Sequence, residues 1–413
     1  MVLQIANVHC EGTRTHDSAT NRDGESRADS ATSLVVAPFI SRSRKVRLGD
    51  RVTRLELIRM NDATEGTWHL HRGDSREVYG QWPRPATIVS DGAYGVGGFP
   101  GDPRTPESLR DWYAPHVEAW SRSAGLASTL WFWNTEVGWA NVHPLFLEHG
   151  WSYEFTCVWN KGVGHIAGNV NSLTVRQFPV VTEVCVFYTR EPRFRGPDGM
   201  IHAKEWLLNE WKRTELPLHL ANKACGVQNA ATRKYFDQGW LWYWPPSEMM
   251  GKLVEYANEH GRPNGRPYYS LDGIKPVTST EWAQMRSVWH HEHGVTNVWE
   301  LAALRGAERV KGSLQRAAPR VYRPTALASS HLNQKPLKFM RRVISACTNR
   351  GDVVWEPFGG LCSATVAAVE LGRNGYAAEV DPLFQDLATD RLNQTAFLTA
   401  NSMIDLDDLY NES

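Results

Sequence analysis

The stretch from Gly351 to Asp381 constrains this chain more than any other. Val353, Val354 and Trp355 form a short apolar run of the kind buried in a parallel sheet, and Glu356 is the first charge after it. Pro357 stops that strand. Gly359 and Gly360 allow a close backbone approach, and a helical run from Ala364 to Leu371 follows. Gly372 ends the helix, and a second strand, Tyr376 to Ala378, delivers Glu379 about twenty residues beyond the turn. The unit reads as strand, tight turn, helix, strand, with a carboxylate at the end of each strand.

The turn lacks the G-x-G-x-x-G pattern, and Glu356 projecting into a site would repel a pyrophosphate. A cationic ligand that carries a ribose fits better. S-adenosylmethionine (SAM) has an ammonium, a sulfonium and ribose hydroxyls, and Glu379 stands where a nucleotide-binding βαβ unit keeps its ribose acid. Glu356, Gly360 and Glu379 are therefore read as cofactor residues; the alternative is an ordinary βαβ unit with a solvated Glu356.

At 413 residues and 42% hydrophobic, the chain has room for two domains or for one domain with a large insertion. Formal net charge is zero, so affinity for a polyanion must come from local patches. Between Arg309 and Arg350 there are ten Lys or Arg residues and no acid, and Arg42 to Arg54 is nearly as one-sided. Phosphate contact, with Arg341 and Arg342 among the cations, is one reading of these patches and a solvated face is the other. The six cysteines lie far apart with no C-x-x-C pair and no signal peptide ahead of them, so a reduced cytoplasmic (nucleoid-associated) protein without a Cys-rich metal site is expected. His290, His291 and His293 lack further ligands at metal spacing, so no metal is expected. No run is long and apolar enough to span a membrane.

Residues 1–48 read as a flexible polar extension. The alternating strand Thr67 to His71 closes in Gly73-Asp74, and Ala86 to Val89 closes in Ser90-Asp91, so two neighbouring strands end in acids. Leu109 to Ser121 is an amphipathic helix, Leu126 to Trp133 a buried strand, and Tyr153 to Trp159 and Val180 to Tyr188 two more. Glu183 sits in an apolar run, where a lone acid would be costly, so a partner for it is expected. Beyond Arg190 the strand rhythm gives way to helices. Leu218 to Cys225, a turn at Gly226, then Gln228 to Phe236 suggests a helix-turn-helix that would offer Gln228, Asn229, Arg233 and Lys234 to DNA; an ordinary helical hairpin fits the spacing nearly as well.

The order of these parts resembles the beta-class DNA amino-methyltransferases, whose catalytic half precedes the SAM-binding half. The family's Gly-Asp strand end matches Gly73-Asp74, and its Asp-Pro-Pro-Tyr matches Asp91-Gly92-Ala93-Tyr94. Its Trp-x-Lys matches Trp159-Asn160-Lys161, and its His-Glu strand matches Thr182-Glu183. A Val-Trp element stands at Val298-Trp299, His-x-x-Gln-Lys-Pro at His331 to Pro336, and Glu356-Pro-Phe-Gly-Gly-Leu-Cys-Ser-Ala364 follows the family's Asp-Pro-Phe-x-Gly-Ser-Gly-Thr-Thr. The resemblance covers roughly residues 67–190 and 297–392. Both prolines of the catalytic tetrapeptide are missing, which loosens that loop, and Leu361 and Cys362 make the cofactor turn bulkier.

The resemblance implies a doubly wound, mostly parallel α/β sheet in permuted order with a largely helical target-recognition insertion. It divides the chain into a catalytic half (49–190), the insertion (191–300), a SAM-binding half (301–398) and a tail (399–413). It implies SAM as cofactor, adding Asp74, Lys335 and Phe358 to its binding residues, double-stranded DNA as partner, and room for a cognate restriction enzyme. It also implies Asp91, Gly92 and Tyr94 as the catalytic loop. There Asp91 and the Gly92 carbonyl would accept from the target amine, and Tyr94 would stack on a flipped base. An Asp-led tetrapeptide is similar to the adenine N6 subgroup; cytosine N4 transfer is the runner-up because Ser90 stands next door. A DNA-binding protein with a degenerate catalytic loop is the reading from another class.

Overall fold

The computed structural model describes residues 66–99, 101–165, 176, 178–304 and 334–411. The expected N-terminal extension, the Arg42 to Arg54 patch, His331 and most of the second basic stretch lie outside them.

Eight strands form one sheet in the order β1, β10, β9, β2, β3, β5, β4, β8. The first five are β1 (Trp68–Arg72), β10 (Asn374–Glu379), β9 (Val353–Glu356), β2 (Thr87–Ser90) and β3 (Thr129–Asn134), all mutually parallel. β5 (Thr182–Arg190) runs antiparallel to both β3 and β4 (Trp151–Asn160), and β8 (Val298–Glu300) pairs parallel with β4 at the edge. The permutation is visible in this order. Strands from the end of the chain lie against strands from its beginning, and β9 meets β2 through Val354 opposite Thr87 and Trp355 opposite Ile88. Ligands of open α/β sheets bind beyond the strand ends at such a reversal. β1 precedes β2 in sequence but is separated from it in the sheet by β10 and β9.

Alternation along the strands dictates the two packing layers. Ile88, Leu130, Phe132 and Trp355 face α1 (Leu109–Ser123) and α2 (Glu136–Glu148). Val89, Trp131, Trp133 and Val354 face α8 (Leu337–Cys347) and α9 (Ser363–Glu370). Much of the tryptophan content is consumed here, since Trp120, Trp131, Trp133, Trp151 and Trp355 are fully buried. The last helix, α10 (Pro382–Asn411), continues through the stretch expected to be a tail.

The insertion has a core of its own. A hairpin, β6 (Arg193–Gly196) with β7 (Gly199–His202), leads into α3 (Ala203–Arg213). α4 (Leu220–Cys225), α5 (Ala230–Lys234), α6 (Ser247–His260) and α7 (Ser279–Ala283) then gather around Trp206, Trp211, Tyr269 and Trp282. The stretch expected to be a helix-turn-helix or a helical hairpin falls on α4 and α5. α5 has 5 residues, less than two turns, because the pair is organised as a tight corner. Gly226 takes φ 66°, and the Asn222 side chain bridges to the Thr232 amide and hydroxyl. Gln228, Asn229, Arg233 and Lys234 are all exposed on that corner.

Candidate active site

Asp91 leaves the end of β2 and carries the loop that follows. Its Oδ1 accepts the Tyr94 hydroxyl at 2.8 Å and lies 2.8 Å from Lys335 Nζ. The same ammonium donates to the Tyr94 oxygen at 2.9 Å and lies 3.2 Å from Glu183 Oε2, while Lys161 pairs with Glu183 Oε1. Two carboxylates, two ammoniums and one phenol thus share a largely buried cluster drawn from four separate parts of the chain. Burial pushes the Glu183 carboxyl up, but the nearby ammoniums of Lys335 and Lys161 outweigh it and hold the group below its ordinary value. Burial likewise pushes Lys335 down, and Asp91 and Glu183 reverse that, leaving it raised. The partner expected for Glu183 is therefore this pair of lysines.

Two expectations change. Lys335, expected among the cofactor residues, is 2% exposed and holds the Asp91 loop. Tyr94 is 7% exposed, with its ring beneath the Lys335 ammonium, 5.2 Å from Nζ. Its hydroxyl points at charge, so in this conformation it orients Asp91 and presents no face to a base. Burial, followed by the charges of Asp91 and Glu183, raises its hydroxyl well above the ordinary tyrosine value, so it stays a donor.

The missing prolines have a structural counterpart. A side chain at Gly92 would strike the Phe358 ring at 2.6 Å and the Tyr113 hydroxyl at 2.7 Å, so close packing of the Phe358 turn against the Asp91 loop demands glycine. Stiffness is restored by Asp102, a residue that sequence reasoning passed over. Its Oδ1 accepts from the amides of Tyr94 (3.1 Å) and Gly95 (2.8 Å), and its Oδ2 from those of Val96 (3.2 Å) and Gly98 (2.9 Å). Ala93 is pinned as well, its carbonyl accepting from the Tyr113 hydroxyl and the Asn134 amide. Asp102→Ala should free the loop and lower turnover roughly ten- to hundredfold, with Asp102→Asn between the two because it keeps one acceptor oxygen. Steady-state kinetics check this, and wild-type turnover in Asp102→Ala would refute it.

Across the reversal, Glu379 closes β10 with Oε1 accepting from the Asp381 amide at 2.8 Å and Oε2 from the Gly360 amide at 2.6 Å. It remains partly exposed, and burial raises its carboxyl above the usual range. Gly360 takes φ 51°, and Cys362, standing where the resembled motif has glycine, is forced to φ 53°. Glu356 requires a correction. It is buried, with Oε1 accepting from the Ala364 amide (2.9 Å) and Oε2 from the Thr365 amide and hydroxyl (both 2.7 Å), so it caps α9 instead of projecting toward a ligand. Burial pushes its carboxyl up to about 7 despite those donors. Phe358 packs between Gly92 and the rings of Trp112 and His116, 5.2 and 4.9 Å away. Asp74 lies just past β1, whose Arg72 is the register partner of Glu379, and is paired with Arg76.

The residues expected on DNA are less uniform. Arg341 is bidentate to Glu370 (2.7 and 2.9 Å), tying α8 to α9, and Arg342 lies over the Trp299 ring at 5.4 Å. Arg341 is therefore tied into the scaffold while its side chain stays 47% exposed. His290 bonds to Asn349, and among the described residues no group of His, Cys, Asp and Glu is placed to hold a metal. No described helix is long and apolar enough to cross a membrane.

Fold and site together define a doubly wound α/β domain with a polar cluster at the topological reversal and a glycine turn beside it. The family model described as DNA methylase (N6_N4_Mtase) matches residues 101–390, and the chain belongs to that family. The type II methyltransferase M.HinfI of Haemophilus influenzae is 31% identical over 98 residues, 24% of this chain and 24% of that protein. The type II methyltransferase M1.MboII of Moraxella bovis is 26% identical over 131 residues, 31% of this chain and 46% of that protein. The matches thus span less than half the length of either curated relative. Among solved structures, the M1.HpyAVI–SAM complex is 13% identical with a TM-score of 0.43, covering 79% of this chain and 100% of that one. The PvuII cytosine-N4-specific DNA methyltransferase is 11% identical with a TM-score of 0.42, covering 81% and 94%.

Proposed function

We propose that this chain is a SAM-dependent DNA methyltransferase that modifies the exocyclic amine of a flipped-out base, with adenine N6 the favoured target. The observation that carries the reading is the placement of Asp91. It stands at the reversal point with Lys335 and Tyr94 both on Oδ1, which leaves Oδ2 as the oxygen to accept from an amine. Membership of the DNA methylase family supports DNA as the substrate.

The residues of the turn fit SAM. Glu379 offers a partly exposed carboxylate at a strand end, the place suited to ribose hydroxyls, and the buried Gly359-Gly360 turn is fastened to it through the Gly360 amide. Phe358 and Asp74 complete that side, and Glu356 contributes by fixing the turn from below. When bound, SAM supplies an activated methyl group on its sulfonium. An exocyclic base amine is a weak nucleophile because its lone pair is delocalised into the ring. Hydrogen bonding of its N–H to Asp91, with the Gly92 carbonyl as second acceptor, localises that lone pair and aims it. No covalent intermediate with the protein is required. The insertion, with Gln228, Asn229, Arg233 and Lys234 exposed, is assigned to target recognition on double-stranded DNA.

Adenine is favoured over cytosine N4 because Asp91 leads the loop while Ser90 is fully buried within β2. Incubating the protein with methyl-tritiated SAM and duplex DNA, then identifying the modified nucleoside by mass spectrometry, tests both levels. N4-methylcytosine overturns the base assignment, and absence of label in DNA overturns the activity.

A further inference from the structure

The aromatic run Trp240-Leu-Trp-Tyr-Trp244 of the insertion divides into residues the fold uses and residues it does not. Trp242 turns inward and donates to the Tyr235 carbonyl at 3.2 Å, and Trp244 stacks on Trp282 with ring centres 4.2 Å apart. Trp240 is 90% exposed, and Leu241 and Tyr243 beside it are also exposed. An indole is a large apolar surface that folding ordinarily buries.

This exposure does not come from slack in the loop. Asp237 Oδ2 accepts from the amides of Gly239 (2.8 Å) and Leu241 (3.0 Å), which bracket Trp240. Gln238 donates to the Lys204 carbonyl at 3.0 Å while Lys204 Nζ donates to the Gln238 carbonyl at 2.9 Å, and the Tyr243 amide reaches the Lys234 carbonyl at 2.8 Å. The tip is therefore held rigidly in the position that puts its largest side chain in water, which removes the ordering cost of a contact made there.

Charge selects the occupant. Between Leu216 and Pro246 the cations are Lys223, Arg233 and Lys234, and the one acid, Asp237, is engaged by the loop it holds. Lys234 sits 6.0 Å from the Tyr243 ring, and both Arg233 and Lys234 are exposed. A rigidly held indole in a segment whose exposed charges are cationic matches a polyanion that also presents flat aromatic faces, which is the chemistry of nucleic acid.

We propose that Trp240 is a DNA-stacking residue of the insertion, meeting by ring contact a base unstacked from the duplex while Arg233 and Lys234 take neighbouring phosphates. The proposal rests on the DNA-methylating reading and adds to it a contact that is independent of sequence, since every base has a π face.

The test uses the full chain and a labelled random-sequence duplex carrying a short run of unpaired bases, with affinity measured across a range of salt. Trp240→Ala should weaken binding roughly 5- to 150-fold, the range for loss of one base–aromatic stack. Trp240→Phe should retain most of the affinity. The slope of log affinity against log salt should stay that of the wild type in both variants, because no phosphate contact is lost, whereas Arg233→Ala should flatten it. Unchanged affinity in Trp240→Ala overturns the proposal, as does failure of the wild type to bind the duplex. Phosphatidylserine vesicles are the control for an anionic surface: if Trp240→Ala loses vesicle binding and keeps DNA binding, the occupant is a membrane and the proposal is wrong. Methyl transfer by the wild type is scored separately, so a DNA-binding protein without transferase activity sinks the functional reading and leaves the Trp240 result standing on its own.

Discussion

Replacing Asp91 by asparagine is expected to lower turnover by a factor on the order of a hundred or more, the loss seen when one preorganised transition-state contact is removed. The geometry makes asparagine a sharper probe than alanine. Lys335 and the Tyr94 hydroxyl both donate to Oδ1, so the amide oxygen of an asparagine would be drawn to that side. Its NH2 would then occupy the place of Oδ2 and face the N–H of the target amine, donor against donor. Packing and the orientation of the loop survive while the acceptor is lost. Alanine would instead leave the buried Lys335 ammonium with Glu183 as its remaining carboxylate in the cluster, and breaking a buried pair costs about 3–5 kcal/mol, so a loss of activity would be mixed with a loss of stability. Single-turnover methyl transfer, together with SAM titration by calorimetry, separates the outcomes. Retained turnover in Asp91→Asn places the catalytic loop elsewhere in the chain.

What could be read from the sequence was local and periodic. The strand, turn, helix and strand of 351–381 are legible because an apolar run, two glycines and a second apolar run each act within a few residues, and the structure returns them as β9, α9 and β10. The order of motifs carried the permutation, and β9 lies against β2 as that order required. The position of Glu356 at a strand end was legible too. Its direction was not, because it depends on whether the following helix presents its first amides to the carboxylate or leaves them to solvent, and that is settled by the path of the turn through Cys362 in the left-handed region.

The polar cluster was beyond reach for a different reason. Lys335 and Tyr94 are 241 residues apart, and no pattern along the chain couples a lysine after a glutamine to a phenol in another half of the molecule. One hint existed, an acid within the apolar run of β5, which required compensation without saying from where. Asp102 left no comparable signal. Its neighbours are glycines and prolines typical of any surface loop, and four converging amides come into existence only when Gly95 and Gly97 adopt φ of 70° and 64°. The helix-turn-helix was not separable from a plain helical hairpin in sequence: a glycine between two polar helical runs serves either, and the side chain that ties the corner, Asn222, looks unexceptional.

The buried ammonium is where the largest combined effect is expected. In Lys335→Met, Asp91 and Glu183 lose the cation they share and remain linked through the Tyr94 hydroxyl, 2.8 Å from one carboxylate and 3.4 Å from the other. Lys161 still pairs with Glu183, so Asp91 is left without a counter-ion in the cluster. Two neighbouring carboxylates in a low-dielectric site favour holding a proton between them, so the acid limb of the pH–rate profile should move to higher pH. Turnover should fall at least tenfold near neutrality and partly recover as pH rises, a pattern that general loss of packing would not give. Stability follows with its own sign. Glu183 is held below its ordinary value of 4.5, so its contribution is present above that pH and is lost as pH falls through the depressed value. Lys335 is raised above 10.5, so its contribution is present below that pH and is lost as pH rises through the raised value. The intact cluster therefore adds a contribution independent of pH across the interval between them. Removing the lysine should cost about 3–5 kcal/mol, measurable by urea denaturation at pH 6 and pH 8. The double variant Asp91→Asn with Lys335→Met should lose less stability than the two single losses summed, since each removes what the other was paired with. A Lys335→Met protein with wild-type turnover and an unmoved acid limb would show that the ammonium neither orients nor charges the catalytic loop.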